Sequence, residues 1–248
     1  MKIIPLSEGS FTIDKTKQFI PFDTQKDDLQ QRPVGSLLVE IQPFCIVTKN
    51  DILVIDTGLG FSNTDGTLQI HQNLMDNGIN PMDVTKVLMS HLHKDHSGGI
   101  CKEDKMLRQK FFSFSNAVYY VNKNELTFAF EKGKPSYTPE DFDILSGSDK
   151  VVFTEDTGKI DDYIRYQVSG AHCPHHQVFW IEEDGETIFF GGDVAPQLQQ
   201  MKSRFIAKYD FDGKKCMELR QEWWQQGQAE KWIFLFYHDI KSPVWGGL

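Results

Sequence analysis

The stretch Ser90-His91-Leu92-His93-Lys94-Asp95-His96-Ser97-Gly98-Gly99 puts three imidazoles and a carboxylate within six residues. In an extended segment, positions 91, 93 and 95 face one side. His96 breaks that alternation, so the chain must turn there, and Ser97-Gly98-Gly99 supplies turn residues. Two pairs, His91/His93 and Asp95/His96, could then serve two neighbouring metal ions. Upstream, Val84-Thr85-Lys86-Val87-Leu88-Met89 has the pattern of a buried strand. Ligands on the loop that leaves a strand are held rigidly and stay accessible. The plainer reading is a polar loop rich in histidine. The chain has 8 histidines, and their concentration here favours metal.

Working outward, the same arrangement recurs. Ile52-Leu53-Val54-Ile55 reads as a buried strand that ends in Asp56-Thr57-Gly58. Alone, Asp56 would be an ordinary turn cap; beside a metal cluster it can steady a ligand from behind. Tyr163 to Val168 runs into Gly170-Ala171-His172-Cys173-Pro174-His175-His176. Three histidines there leave the choice of ligand open, with His172 preferred and Cys173 not required by a site of N and O donors. Gln177–Glu183 and Glu186–Phe190 form a hairpin around Asp184-Gly185, and the second strand ends in Gly192-Asp193. Trp232 to Tyr237 is a last buried strand, ending in His238.

Between these points the reading is coarser. Lys2-Ile3-Ile4 and Phe11-Thr12-Ile13 are short strand candidates, and residues 14–34 read as a loop or arm. Ser36–Gln42 and Phe44–Thr48 look like paired strands. Leu68–Asn77 is a helix on the spacing of Ile70, Leu74 and Met75, and Asn122–Glu131 is a second helix. Residues 212–227 form a third helix, with Gly227 as its stop and a short tail at Pro243 to Gly247. His71 alone in its helix reads as a surface or packing residue. The aromatic-rich segment 100–148 is a candidate lid or insertion, although most of its phenylalanines are expected in the core. Ser90 and Ser97 are read as turn residues.

At 248 residues the chain is long enough for a sizeable core, and it is read as one domain, 1–248. The net charge of −9 argues against a nucleic-acid backbone or an anionic membrane surface as partner. Cys45, Cys101, Cys173 and Cys216 are widely spaced, which fits free thiols in a reducing compartment. No apolar run approaches membrane-spanning length, and the first residues lack a signal-peptide core. The expectation is a cytoplasmic protein with a small-molecule substrate; oligomeric state is not legible.

In order and context, Asp56-Thr57-Gly58, His91-x-His93-x-Asp95-His96, Gly170-x-His172, Gly192-Asp193 and His238 resemble the metallo-β-lactamase superfamily. The resemblance implies an α/β fold, an αββα four-layer sandwich of two mixed β-sheets flanked by helices, with a dinuclear site at one edge. It implies His91, His93 and His172 as ligands of one ion, Asp95, His96 and His238 of the other, Asp193 as the bridge, and Asp56 in support. The expected cofactor is two divalent ions, zinc first, with manganese, iron or cobalt acceptable. His93 differs from the glutamate typical of flavodiiron reductases, and Asp193 stands where the best-known zinc β-lactamases carry cysteine. Quorum-quenching lactonases often add a tyrosine shortly after the bridging aspartate; here Val194-Ala195-Pro196 follows. The implied activity is a metal-dependent hydrolase in which a metal-bridging hydroxide attacks a small ester, lactone or thioester and Asp95 passes a proton. A phosphodiesterase or nuclease of the same fold, or a non-catalytic metal-binding protein, are the alternatives.

Overall fold

The computed structural model describes residues 1–104 and 106–246. Two six-stranded sheets dominate. The first runs Lys2–Pro5, Phe44–Val47, Ile52–Ile55, Lys86–Leu88, Val118–Asn122, Val151–Thr154 in spatial order. Its first three strands pair antiparallel and the rest parallel. The second runs Thr157–Ile160, Ile164–Val168, Gln177–Glu183, Glu186–Phe190, Ile233–Leu235, Val244–Gly246. Only its Glu186–Phe190 and Ile233–Leu235 strands pair parallel.

Alternation along the strands builds the layers, because successive side chains point to opposite faces. Phe44, Ile46, Leu53, Ile55 and Leu88 of the first sheet meet Phe179, Ile181, Ile188, Phe190 and Leu235 of the second in one buried cluster. The intervening residues point outward. Cys45, Val54 and Val87 pack under helices Gln69–Asp76 and Lys123–Lys132. Val178, Trp180, Phe189 and Phe234 pack under helix Gly213–Glu230 through Cys216 and Trp223. The order is therefore helix, sheet, sheet, helix, as expected. Phe190 is fully buried between the sheets, so cutting it to alanine costs about 3–5 kcal/mol in transfer and cavity terms.

Several local expectations need correction. Leu37–Ile41 and Phe44–Val47 do not pair with each other. Leu37–Ile41 joins Gly9–Ile13 and Phe19–Pro21 in a separate three-stranded sheet, and the Pro43 carbonyl accepts from Leu6 N–H instead. The 14–34 arm thus contains a strand. Segment 100–148 contains a hairpin, Cys101–Asp104 with Gln109–Phe112, that shows no clear alternation in sequence. Gly227 does not stop its helix but lies inside it. A Cβ there would sit 2.3 Å from the Phe234 ring, so the glycine permits close packing, and left-handed Lys231 ends the helix. Val244–Gly246 is a strand rather than a tail; Gly247 lies outside the described residues. Met75 is exposed and Phe114 buried, while Phe111 and Phe130 face solvent. His71 packs against Phe114, and the Asp184-Gly185 turn has the expected positive φ at both residues.

No helix among the described residues is long and apolar enough to cross a membrane. The strand ends carrying Asp56, Ser90 and Asp193, with His238 just past the last buried strand, gather at one edge of the sandwich, where the candidate site lies.

Candidate metal centre

The cluster at 91–96 is not extended throughout. His93 caps a helical turn, Lys94–Ser97, and its carbonyl accepts from the His96 and Ser97 amides. The turn swings Asp95 and His96 away from His91 and His93. It is locked to the Asp56 loop: Thr57 N–H and Oγ1 both donate to the His96 carbonyl at 2.7 and 2.9 Å. Added Cβ atoms at Gly98 and Gly99 would lie 2.3 and 2.2 Å from the carbonyl oxygens of Leu59 and Thr57. Only glycine lets these two loops touch.

Seven side chains converge into two adjoining groups. His91, His93, His172 and Asp193 form one, and Asp95, His96 and His238 the other; within each, one donor atom per residue lies within 4.8 Å of the others. Asp193 turns one oxygen to each. Its Oδ2 is 3.3 Å from His172 Nε2, and its Oδ1 is 3.1 Å from His96 Nε2 and 3.0 Å from His238 Nε2. Asp95 Oδ2 is 3.6 and 3.7 Å from His96 Nε2 and His238 Nε2.

Four of the imidazoles have their Nδ1 tied down on the far side. Asp56 Oδ2 takes His96 Nδ1–H at 2.7 Å, and Asp210 Oδ1 takes His172 Nδ1–H at 2.8 Å. The Glu40 carbonyl takes His238 Nδ1–H at 2.7 Å. Ser90 Oγ spends its own proton on Asp56 Oδ2 at 2.6 Å, so at 3.0 Å from His91 Nδ1 it accepts. Each acceptor fixes the tautomer and leaves Nε2 as a bare lone pair aimed at the centre. The corollary is a surplus of acceptors. His93 Nδ1 lies 2.9 and 3.1 Å from His91 Nε2 and His172 Nε2 and can give a proton to only one of them, and buried His96 Nε2 and Asp193 Oδ1 find no hydrogen-bond partner. Buried lone pairs left facing one another cost of order 1–3 kcal/mol each. Cations between them satisfy all of them, so the residues present fit a pair of divalent ions.

The electrostatics agree. Burial, then the neighbouring His96 and His93, holds the His91 imidazole well below its ordinary pKa. Burial and His172 do the same to His93. These rings are neutral and ready to coordinate. Burial also pushes against charge on His96 and His238, but Asp193, Asp95 and, for His96, Asp56 outweigh it and raise both. Burial would raise Asp193, yet His238, His96 and His172 hold it ionised. The carboxylate-rich side calls for positive charge, which protons supply when metal does not.

Sequence reading missed Asp210. It lies in the loop between the helical turn Leu198–Met201 and helix Gly213–Glu230, three residues before the latter, where an aspartate reads as a cap; the actual cap is Asp212. It also took Ser90 for a turn residue, whereas Ser90 bonds Asp56 through Oγ and N–H. Ser97 Oγ donates to the carbonyls of Leu92 and His93. Three residues of open role now have places. His176 Nε2 accepts from Asp193 N–H at 3.1 Å, and its approach requires Gly192, whose Cβ would sit 2.5 Å from that nitrogen. Tyr237 stacks on His96 at 4.0 Å and donates to the Asp95 carbonyl at 2.6 Å. Cys173 Sγ donates to buried Glu125, whose other oxygen accepts from Leu92 N–H between the two histidines.

The centre floors a pocket of about 790 Å³. Its walls come from the Ile13–Phe19 loop, from Leu37–Val39, from Phe128 with the 132–137 loop, and from Tyr209–Phe211.

Residues 40–222 match the sequence model of the metallo-beta-lactamase superfamily. The chain belongs to that superfamily. An N-acyl homoserine lactonase, AttM, from Azorhizobium caulinodans is 32% identical over 117 residues, covering 42% of this chain and 38% of that protein. The match therefore spans well under half of the relative's length. Among solved structures, a probable metal-dependent hydrolase from Staphylococcus aureus superposes with a TM-score of 0.79 at 20% identity, over 99% of this chain and 91% of that one. AidC, a dizinc quorum-quenching lactonase solved with a product, superposes with a TM-score of 0.72 at 19% identity, over 98% and 88%. Both likenesses are of fold, with two mixed sheets flanked by helices.

Proposed function

We propose that the chain is a metal-dependent hydrolase of a small ester, lactone or thioester, with two divalent ions, zinc first, held by His91, His93 and His172 on one side and by Asp95, His96 and His238 on the other. Asp193, with one carboxylate oxygen turned to each group, would help to hold both. The carrying observation is the set of four imidazoles whose Nδ1 atoms are tied back so that their Nε2 lone pairs converge on the floor of an open pocket. Structural zinc sites are closed and four-coordinate, whereas this one faces a cavity of about 790 Å³, within the size range of small-molecule sites. The partial match to a lactonase supports a lactone as the first substrate to try.

Bound there, divalent ions supply a Lewis acid for the carbonyl oxygen and lower the pKa of water to about 7. The protein's own residues do the rest. Asp56, Asp210, Ser90 and the Glu40 carbonyl hold the imidazoles in register. Asp95 lines the pocket and is placed to accept a proton at a carboxylate oxygen and deliver it to the leaving oxygen or sulfur. Apolar side chains of the lining, among them Phe128 of the 100–148 segment, Tyr209 and Phe211, exclude bulk water and seat the acyl portion. Chain 1–248 acts as one unit in this reading, because all seven ligands are needed together.

The test is metal analysis of the purified chain beside a panel of lactones, thioesters and phosphodiesters. Two ions per chain with turnover of lactones or thioesters is the expected result. Two bound ions with no hydrolysis across the panel would return the protein to the non-catalytic reading, and turnover of phosphodiesters alone to the phosphodiesterase reading. Asp95→Asn should lower turnover by roughly 10²–10⁴-fold at saturating metal, the usual worth of a general acid–base, with a smaller loss of bound metal. Loss of metal in proportion to activity removes the proton role.

A further inference from the structure

The chain carries a net charge of −9, yet five lysines line the pocket above the metal centre: Lys15, Lys17, Lys94, Lys132 and Lys134. An acidic protein has no general reason to collect its cations at that mouth. Lys134 pairs with Glu140 at 3.0 Å. Among the described residues, the other four form no ion pair with a carboxylate. The four acids in the same lining are otherwise engaged. Asp95 and Asp193 belong to the metal centre, Asp210 accepts from His172, and Asp14 accepts from the backbone and hydroxyl of Thr16.

Lys94 ties together the segments that carry the others: its N–H donates to the Ser136 carbonyl and its ammonium lies over Phe19, just after Lys15 and Lys17. Lys15 and Lys17 come from the loop after Gly9–Ile13, and Lys17 holds a left-handed backbone with φ of 59°. A lysine in that region is strained relative to glycine or asparagine. Lys94 lies over the Phe19 ring with Nζ 5.5 Å from its centroid, and Lys132 over Phe128 at 5.3 Å. The rings support the alkyl stems of these two pocket-lining lysines. The same lining also offers uncharged surface at Pro196, Gln197, Gln200, Tyr209 and Phe211. Positive charge confined to a cleft with apolar walls focuses its field on a bound anion.

We propose that the pocket selects an amphipathic substrate with an anionic oxygen-bearing group, a carboxylate, sulfate or phosphate, that lies against Lys17, Lys94 and Lys132 while the apolar portion packs on uncharged lining such as Pro196, Tyr209 and Phe211. This rests on the hydrolase reading for the chemistry at the floor, but adds what that reading leaves open: the charge of the part of the substrate that does not react.

The test separates the two. Binding of octane-1-sulfonate and of neutral 1-octanol to the metal-loaded protein is measured by calorimetry, without turnover. The same is done for Lys17→Gln, Lys132→Gln and their charge-keeping partners Lys17→Arg and Lys132→Arg. The sulfonate should bind more tightly than the alcohol. Each Gln variant should weaken it by roughly 3- to 10-fold, the Arg variants should restore it, and roughly 0.5 M salt should weaken it in the parent. In parallel, hydrolysis of 4-nitrophenyl esters with a terminal carboxylate is compared with that of their methyl-capped neutral counterparts, and kcat/KM should favour the anion. Hydrolysis with no preference for charge, together with sulfonate binding untouched by the Gln variants, overturns the inference and leaves the hydrolase standing. Lysine-dependent sulfonate binding without hydrolysis of either ester does the reverse.

Discussion

The two donor groups of the centre lie side by side and share Asp193, but they are different solvents for charge. In the group of His91, His93 and His172, His91 and His93 are kept uncharged by burial and by neighbouring imidazoles. The group of Asp95, His96 and His238 is surrounded by carboxylates that raise both of its imidazoles. One group offers lone pairs at no electrostatic cost, and the other attracts a cation so strongly that protons bind when metal is missing. A single carboxylate with one oxygen on each side joins them. A dinuclear centre of this kind therefore need not treat its two ions alike.

The most severe way to break the comparison is to remove what the groups share. Asp193→Ala takes away the anion between His96, His172 and His238. It should lower hydrolysis by roughly 10³-fold or more, comparable to deleting a principal electrostatic element of an active site, and bound metal should fall below two per chain. Thermal unfolding monitored alongside distinguishes this from misfolding. Full activity in a well-folded Asp193→Ala would remove the bridge from the scheme.

A smaller effect sharpens it. Asp56 holds His96 from one side of the centre and Asp210 holds His172 from the other. Groups that orient a ligand usually contribute 10- to 100-fold in metal affinity. Asp210→Asn should weaken the ion of the imidazole group by about that factor, and Asp56→Asn the ion of the carboxylate-rich group. Competition against a chromophoric chelator, one equivalent at a time, reads the two steps separately. Asp56→Asn should also cost more stability, since its carboxylate is fully buried and accepts from both Ser90 and His96. If both substitutions weaken the same step, the two ions are not held independently.

Asp56 and Asp210 also mark how far the sequence could be read. Asp56 ends an obvious apolar strand and precedes a glycine, so its place beside the site was legible. The density of His91, His93, Asp95 and His96 after a strand was legible in the same way, and His172, Asp193 and His238 stood as strand-end candidates that the family resemblance joined into one set. Ile52–Ile55 was legible as a strand because it is a continuous apolar run, buried along most of its length; the layering came from the resemblance. Asp210 was not, because it sits in a loop with no period, next to a helix start where aspartate has a common local use. The same lack of period hid the strand Phe19–Pro21 and the lysines near it. The false pairing of Leu37–Ile41 with Phe44–Val47 came from adjacency along the chain, which the break at Gln42-Pro43 overrides. Gly227 was misread because its purpose, room for Phe234 and Trp232, lies in tertiary packing that no local pattern carries.

The subtlest difference between the two groups is their response to acid. Metal must displace any proton on its ligands, so affinity falls once pH drops below the ligand's pKa. His96 and His238 have raised values, so their protons compete with metal from higher pH downward. His91 and His93 have depressed values and stay deprotonated well into acid. As pH is lowered, the ion of the Asp95, His96 and His238 group should leave first, and a window should exist in which one ion per chain remains. Equilibrium dialysis with elemental analysis, stepped from pH 8 toward pH 4.5, measures it. Asp56→Asn should shift that first loss toward lower pH, because removing a carboxylate from His96 lowers its proton affinity, even as the weakened hold on the ring reduces affinity at neutral pH. Simultaneous loss of both ions, or earlier loss from the imidazole group, would mean that the shared Asp193 couples the two sides more strongly than their separate surroundings divide them.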